Sequence, residues 1–370
     1  MKIKKILILF LLISSFFLGL ENVKSKESDE EIFKAEVLRV LEEKQISRPS
    51  GKEVTQQNLE LLLLEGDKKG ERVNFYGIGD IDVVINNYYQ TGDKVFVMRL
   101  VDEEGGANYY VTDYVRSNGL WYLVITFTII LLLIGGIKGF KALLSLVFSF
   151  LVILKVLIPL ILQGYNPILV SILVVFLILF LIVYLTEGWK KSSHISVLSI
   201  ALSLLITGIL AFLFTYLTRL TGTAQGEIIY LIESIDVEIN FRGLLLSAII
   251  IGALGVINDM AIGQVAAVEQ IKSANPNLDN KQVFKSGLKI GRSHLGAITN
   301  TLFLAYVGAS LPLILLFSLG QEPFLSFSQI INNEEVTTEI VRTLVGVMGV
   351  FLVMPISTLL STWFLNNNNK

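Results

Sequence analysis

Cysteine is absent from this chain, and histidine occurs only at positions 194 and 294. The first absence excludes disulfides, thiol catalysis and cysteine-ligated metal, and two histidines are too few for a multi-histidine metal site. An excess of charge of one sign is missing as well. A formal net charge of -2 over 370 residues creates no field that would gather nucleic acid. There is no Gly-x-x-x-x-Gly-Lys-Ser/Thr loop for ATP, no Gly-x-Ser-x-Gly nucleophile elbow and no metal-ligand pair. The expectation is a protein that is not an enzyme and carries no cofactor.

What the chain does have is apolar sequence: 53% hydrophobic residues against 17% charged, with a mean hydropathy of +0.65. The apolar residues come in runs of about twenty, the length that crosses a bilayer as a helix. Lys2, Lys4 and Lys5 precede an apolar run from Ile6 to Leu20, the pattern of a secretory signal peptide or an uncleaved signal anchor over residues 1–25. Residues 26–116 change character to short alternating runs. Phe33 to Val40, Asn58 to Leu64, Val73 to Tyr76, Lys94 to Val101 and Tyr109 to Val115 read as strands. Glu65-Gly66-Asp67, Thr91-Gly92-Asp93 and Gly105-Gly106 supply turn chemistry between them. Such a β-rich domain fits a small barrel of the oligonucleotide-binding type or a sandwich. Tyr88, Tyr89, Tyr109, Tyr110 and Tyr114 are expected to fill its core rather than form a binding face.

Seven apolar spans follow, over residues 119–137, 142–162, 167–186, 195–218, 243–266, 294–317 and 340–364. They make residues 117–365 an α-helical polytopic membrane domain, with a short tail at 366–370. Basic residues follow the odd-numbered spans: Lys138 and Lys141, Lys190 and Lys191, then Lys272, Lys281, Lys285, Lys289 and Arg292, and last Lys370. The loops after the second, fourth and sixth spans hold almost no basic residues, but carry Glu227, Glu233, Asp236, Glu238, Glu322, Glu334 and Glu335. Basic loops stay in the cytoplasm, so the β-rich domain is expected outside and the C-terminus inside, agreeing with an exported N-terminal segment.

The fifth span holds an acid, Asp259, more than a dozen residues into apolar sequence, where an ionised carboxylate costs at least a few kcal/mol without a partner. Gly252, Gly255, Asp259, Gly263 and Gln270 share a side at helical spacing, with Asn258 one position round and Gln264 nearby. Small residues there predict the close approach of another helix, so that the carboxylate faces protein. In the sixth span Ser293, Gly296, Ala297 and Asn300 share a face, and Arg292 and His294 stand at the inner entry. Asp259 and Asn300 lie at similar depth, which makes them expected partners. Between the two spans, Asn275-Pro276 makes a turn and Asp279 with Gln282 resembles a capping box. Val283, Phe284, Leu288 and Ile290 give a short amphipathic helix expected along the inner membrane surface.

The residues from Gly252 to Phe317 resemble the YibE/F family of bacterial multi-pass membrane proteins. The matching pieces are Gly255-Val-Ile-Asn-Asp259, Gln264-Val-Ala-Ala-Val268, Asn275-Pro276, Gly291-Arg292, His294, Asn300-Thr301 and Ala305-Tyr-Val-Gly-Ala-Ser-Leu-Pro312. Ser293 and Gln270 depart from the family pattern, each standing where an acid is common. The resemblance implies a multi-pass protein of the bacterial cytoplasmic membrane and carries no activity with it. Two functions compete. In the first, the chain is a transporter or permease with Asp259, Asn258, Asn300 and Gln264 as its proton- or cation-coupling or substrate centre, and Arg292 and His294 at the inner face. An intramembrane acid followed by a polar span is similar in outline to the proton-carrying helices of resistance-nodulation-division porters. In the second, the chain is a membrane scaffold whose exported domain binds an envelope partner. Beyond the lipid bilayer, the expected partners are thus a proton, a cation, a small molecule or an envelope component, with no nucleic acid.

Overall fold

The computed structural model describes residues 31–47, 53–79, 88–101, 106–234, 237–320 and 326–366. The expected signal segment, residues after 366 and the acids Asp236 and Glu322 lie outside these. The chain divides into two compact units, the first ending at Ile130 and the second beginning at Leu131.

In the first unit five strands form one antiparallel sheet: β1 (Glu31–Ser47), β2 (Glu53–Leu63), β3 (Arg72–Tyr76), β4 (Lys94–Val101) and β5 (Ala107–Tyr114), in the order β3-β2-β1-β4-β5. Alternation explains the pairing. Phe33, Ala35 and Val37 of β1 point to the same side as Leu59 and Leu61 of β2, Val73 and Phe75 of β3 and Val95 and Val97 of β4, and all are buried in one core. The strands at the two ends of the order, β3 and β5, lie in contact, so the sheet curls on itself toward a barrel. A sandwich would need two sheets, and the described residues form one. The turn glycines Gly66 and Gly92 have φ of 84° and 93°, a region only glycine enters freely.

Four of the five tyrosines belong to this core. Tyr89 is buried against Tyr114, with ring centroids 4.8 Å apart, and Tyr109, Tyr110 and Tyr114 pack at its edge, while Tyr88 is exposed. Buried Gln57 clamps the backbone of Tyr89, accepting from its N–H at 2.8 Å and donating to its carbonyl at 3.2 Å.

The second part of the chain is helical. α1 (Ser117–Val152) runs through a π-helical turn (Ile153–Leu157) into α2 (Ile158–Leu162). Then come α3 (Pro167–Glu187), α4 (Lys191–Leu217), α5 (Gly226–Ser234), α6 (Phe241–Ala274), α7 (Asn280–Ala309), α8 (Leu311–Ser318), α9 (Phe327–Asn332) and α10 (Glu334–Asn366). Five stretches among the described residues are long and apolar enough to cross a membrane, Ser117–Leu162, Pro167–Glu187, Lys191–Leu217, Phe241–Ala274 and Glu334–Leu365; α7 with α8, bent by 67°, makes a sixth. The sequence reading has one more, because it divides the first stretch into two. The division has a physical counterpart at Gly136, whose φ of 53° and ψ of -129° interrupt the helix. A β-carbon at Gly139 would collide with the carbonyl oxygen of Leu131, a group about 12 Å away along a straight helix. The helix is therefore sharply kinked at Gly136.

The core of the bundle lies where α4, α6 and α10 pack pairwise, with α3 against α6. Val174 and Ile178, Ile200 and Leu204, Ile257 and Ala261, and Val350 and Val353 meet there. Its tightest point is polar. Ser203 donates to the carbonyl of Gly349 at 2.9 Å, and a β-carbon at Gly349 would stand 2.6 Å from Thr207 Oγ1 and 2.7 Å from Ile257 Cδ1. Such small-residue seams let helices approach closely where no hydrophobic driving force separates them from lipid.

One expected element is not separate. The amphipathic segment read as a surface helix is the first half of α7, which continues unbroken into the sixth span and bends within it, after Ala309. Its capping box is present, with Asp279 accepting from the Gln282 N–H at 2.6 Å and Gln282 accepting from Asp279 N–H at 3.1 Å. The apolar side of this segment meets protein: Val283, Gly287 and Gly291 are buried, and β-carbons at the two glycines would press on Thr358 and Met354 of α10.

Candidate functional site

α6 begins at Asn240, whose side chain accepts from the Gly243 N–H at 2.8 Å, and it stops ahead of Pro276. Its core side is marked by Ile257 and Ala261, both 0% exposed. Asp259 is two residues from each, and at 100° per residue that places it on the opposite side of the helix. Ala248, Gly252, Gly255, Gly263, Ala266 and Gln270 share that side, and all are exposed. No large apolar residue of α6 is exposed, whereas α3 presents Leu169, Leu173, Phe176 and Phe180 outward.

The face expected to be closed by a neighbouring helix is thus open. Nothing lies within 4 Å of a β-carbon position at Gly255 or Gly263, and at Gly252 the nearest group is the Tyr306 hydroxyl, at 3.6 Å. The small residues are there as expected, but α7 packs on the flank of α6 instead of across them. Asp259 accepts a hydrogen bond from Asn258 Nδ2 at 3.4 Å and has no ion pair among the described residues. Asn258 is itself 7% exposed, with its Oδ1 unpartnered.

Two residues assigned to the centre stand elsewhere. Asn300 is exposed, and it lies two residues from Ile298 and from Leu302, both of which pack against the core, so it points away from α6. No hydrogen bond joins it to Asp259 among the described residues. Equal depth was the reason to pair them, and depth leaves the rotation of a helix free. Gln264 is buried on the core side, donating to the Gly287 carbonyl at 2.7 Å and to Thr358 Oγ1 at 2.8 Å. It ties α6 to α7 and α10. Arg292 and His294 are exposed, with no hydrogen bond or ion pair among the described residues, and stand well inside α7 because that helix starts at Asn280.

Other groups share this half of the bundle. In the first turns of α10, Glu339 Oε1 accepts from Arg342 Nη1 at 2.7 Å, both side chains being 20% exposed, and Arg342 Nε has no partner. Arg342 lines a cavity of about 60 Å³ with Ala248, Leu244, Gln225 and Thr338. Glu339 lines another of about 210 Å³ with Tyr306, Phe303, Ile314 and Phe317. A pair of opposite charges three residues apart at the start of an apolar run was the signal for it. Lys155, exposed in the π-helical turn, is a second intramembrane charge that sequence reasoning passed over. No cluster of three or more histidine, cysteine, aspartate or glutamate residues exists among the described residues. One carboxylate beside one amide suits a proton or a weakly held monovalent cation better than a divalent metal, which takes six or more oxygens or a cage of nitrogen and sulfur ligands.

No curated protein and no solved structure matches this chain. The stretch from the first apolar helix to the end of α10, including Asp259 and the whole α6–α7 pair, does match a family model: over residues 123–367 the match is to YibE/F-like protein, and the chain belongs to that family.

Proposed function

We propose that this chain is a permease of the cytoplasmic membrane in which Asp259 takes up and releases a proton or cation. The observation that carries the reading is the position of Asp259 near the middle of α6, on a face that exposes no large apolar side chain. An ionised carboxylate facing hydrocarbon costs about 2.5–3.5 kcal/mol even on the lenient insertion scale, so a face of glycine and alanine around it is better matched to water than to lipid. Buried Asn258 supports the carboxylate, and α7 and α10 are held to α6 by Gln264 at the end nearer Ala274.

The topology proposed with it has seven crossings, residues 117–135 and 137–162 making two of them on either side of Gly136. Each is long enough at 1.5 Å per residue to span about 28 Å or more. The basic loops then lie in the cytoplasm and the β domain outside, where it is free to meet an envelope component.

The test compares Asp259→Asn with the wild type. The substitution keeps shape and the Asn258 contact, so membrane abundance and thermal stability are expected to change by no more than about 0.5 kcal/mol, as for other exposed sites. Incorporation of dicyclohexylcarbodiimide, which modifies intramembrane carboxylic acids, is expected to be lost at position 259, and growth or flux dependent on the protein is expected to disappear. Full activity of Asp259→Asn would end the coupling role. Loss of abundance, restored by neutralising Arg292 as well, would make Asp259 a structural acid and favour the scaffold reading.

A further inference from the structure

The open face of α6 does not end at Gly252. Ala248, on the same side one turn further, lines the small cavity beside Arg342, and Tyr306, whose hydroxyl stands over Gly252, lines the larger one beside Glu339. The Glu339–Arg342 pair therefore stands between two cavities, both larger than the 10–15 Å³ or so that one water requires. Tyr306 and Glu339 line the same cavity. Gly252 and Asp259 are seven residues apart on one helix face, about 10 Å.

The level of this cluster is set by the loop after α4. Glu334, at the start of α10, accepts from the Thr221 N–H at 2.5 Å and from the Gly222 N–H at 3.0 Å, which holds that end of α10 beside the end of α4. Glu339 and Arg342 then lie about 8 and 12 Å below the end of α10, at 1.5 Å per residue. In the orientation proposed above, this is the outer side.

We infer that Tyr306 and the Glu339–Arg342 pair form the outward gate through which protons or small cations reach Asp259 along the glycine floor of α6. Resting on the permease reading, it names that reading's route and selectivity. Glu339 is the acid an entering cation meets before Asp259. Arg342 neutralises it at rest, and Gln225 and Thr338, which line the cavity on the arginine side, bring side-chain oxygens that the guanidinium can turn to when Glu339 is occupied. Tyr306 offers a hydroxyl as the next oxygen ligand, and Gly252 leaves room beneath it. Beyond that, Gly255 offers no side chain before Asp259.

The absence of cysteine makes the test clean. A single Gly255→Cys chain in intact cells is treated from outside with a small, impermeant, cationic methanethiosulfonate. Modification is expected, and Gly252→Leu under the Tyr306 hydroxyl should slow it at least ~10-fold, equivalent to about 1.4 kcal/mol of barrier. Glu339→Gln should slow the cationic reagent and leave an anionic methanethiosulfonate unchanged or faster; this arm stands even if Gly252→Leu fails to accumulate. Modification by a membrane-permeant apolar maleimide alone would mean that the face meets lipid and would overturn the gate. So would equal rates with and without Gly252→Leu, or loss of both charge forms alike in Glu339→Gln. The outcomes separate the two readings: a gated route with fully active Asp259→Asn removes the permease and keeps the gate, whereas a dead Asp259→Asn with no external access does the reverse.

Discussion

Gly349→Leu is expected to leave little folded protein in the membrane. The residue lies on α10 in close contact with α4, and its missing side chain is what allows Ser203 to reach its carbonyl at 2.9 Å. Even one added carbon would stand 2.6 Å from Thr207 Oγ1 and 2.7 Å from Ile257 Cδ1, well inside van der Waals contact. Ile257 can retreat by a rotamer change, but Thr207 is pinned, its hydroxyl donating to the Ser203 carbonyl at 2.8 Å within its own helix. Overpacking of this kind costs about 1–3 kcal/mol for a few methylenes and more where backbone must move, against a total stability of about 5–15 kcal/mol. The milder Gly349→Ala should lower the thermal midpoint in detergent, and adding Thr207→Ala should restore most of the loss, because the second change removes the colliding oxygen. A Gly349→Leu protein as abundant and as stable as the wild type would show that α4 and α10 do not approach in this way.

How far the sequence could be read depended on which physical quantity each feature expresses. Alternation places Phe33, Ala35 and Val37 on one side of β1 without further help, and an apolar run such as Pro167–Glu187 reveals a helix by length alone. Charge among the loops gives an expected orientation by the same economy, and the labelling below tests it. Periodicity shows that a helix has an apolar side and is silent on what covers it. The Val283–Ile290 segment has the same pattern whether it rests on headgroups or on α10, and only the pressure of Gly287 and Gly291 on Thr358 and Met354 decides for protein. Asp259 was visible as an acid in apolar sequence, yet its partner was not, because depth along a helix is set by residue number and direction around it by packing. That is why Asn300 was paired with it and in fact points away. Glu339 and Arg342 were missed for a simpler reason. They straddle the start of the 340–364 span, Glu339 just outside it and Arg342 just inside, where charges are ordinary, and their mutual hydrogen bond is a property of one helical turn.

The crossing number is decided by the sidedness of six single cysteines, at Glu65, Lys138, Gln163, Lys191, Lys281 and Asn333. With an impermeant maleimide outside intact cells, labelling is expected at Glu65, Gln163 and Asn333. At Lys138, Lys191 and Lys281 it should appear only after permeabilisation, an all-or-none contrast at each site. The argument for Gln163 is the turn at Gly136. If Ser117–Leu162 crossed once as a straight helix it would be about 69 Å long, more than twice the hydrocarbon thickness. Lys138 would then sit within the membrane, and Gln163 would emerge on the side opposite Glu65. In the proposed seven-crossing topology, residues before Ser117 and after Leu162 are expected on one side, with Lys138 and Lys141 in the cytoplasm, as basic residues near short loops are. A β-branched residue at Gly136, where φ is 53°, should be resisted by the backbone itself, so Gly136→Val ought to diminish labelling at Gln163 or the amount of protein. Protected Gln163 together with reactive Glu65 would reduce the count to six crossings and reverse the sides of every later loop, and Asn333 would then be found inside.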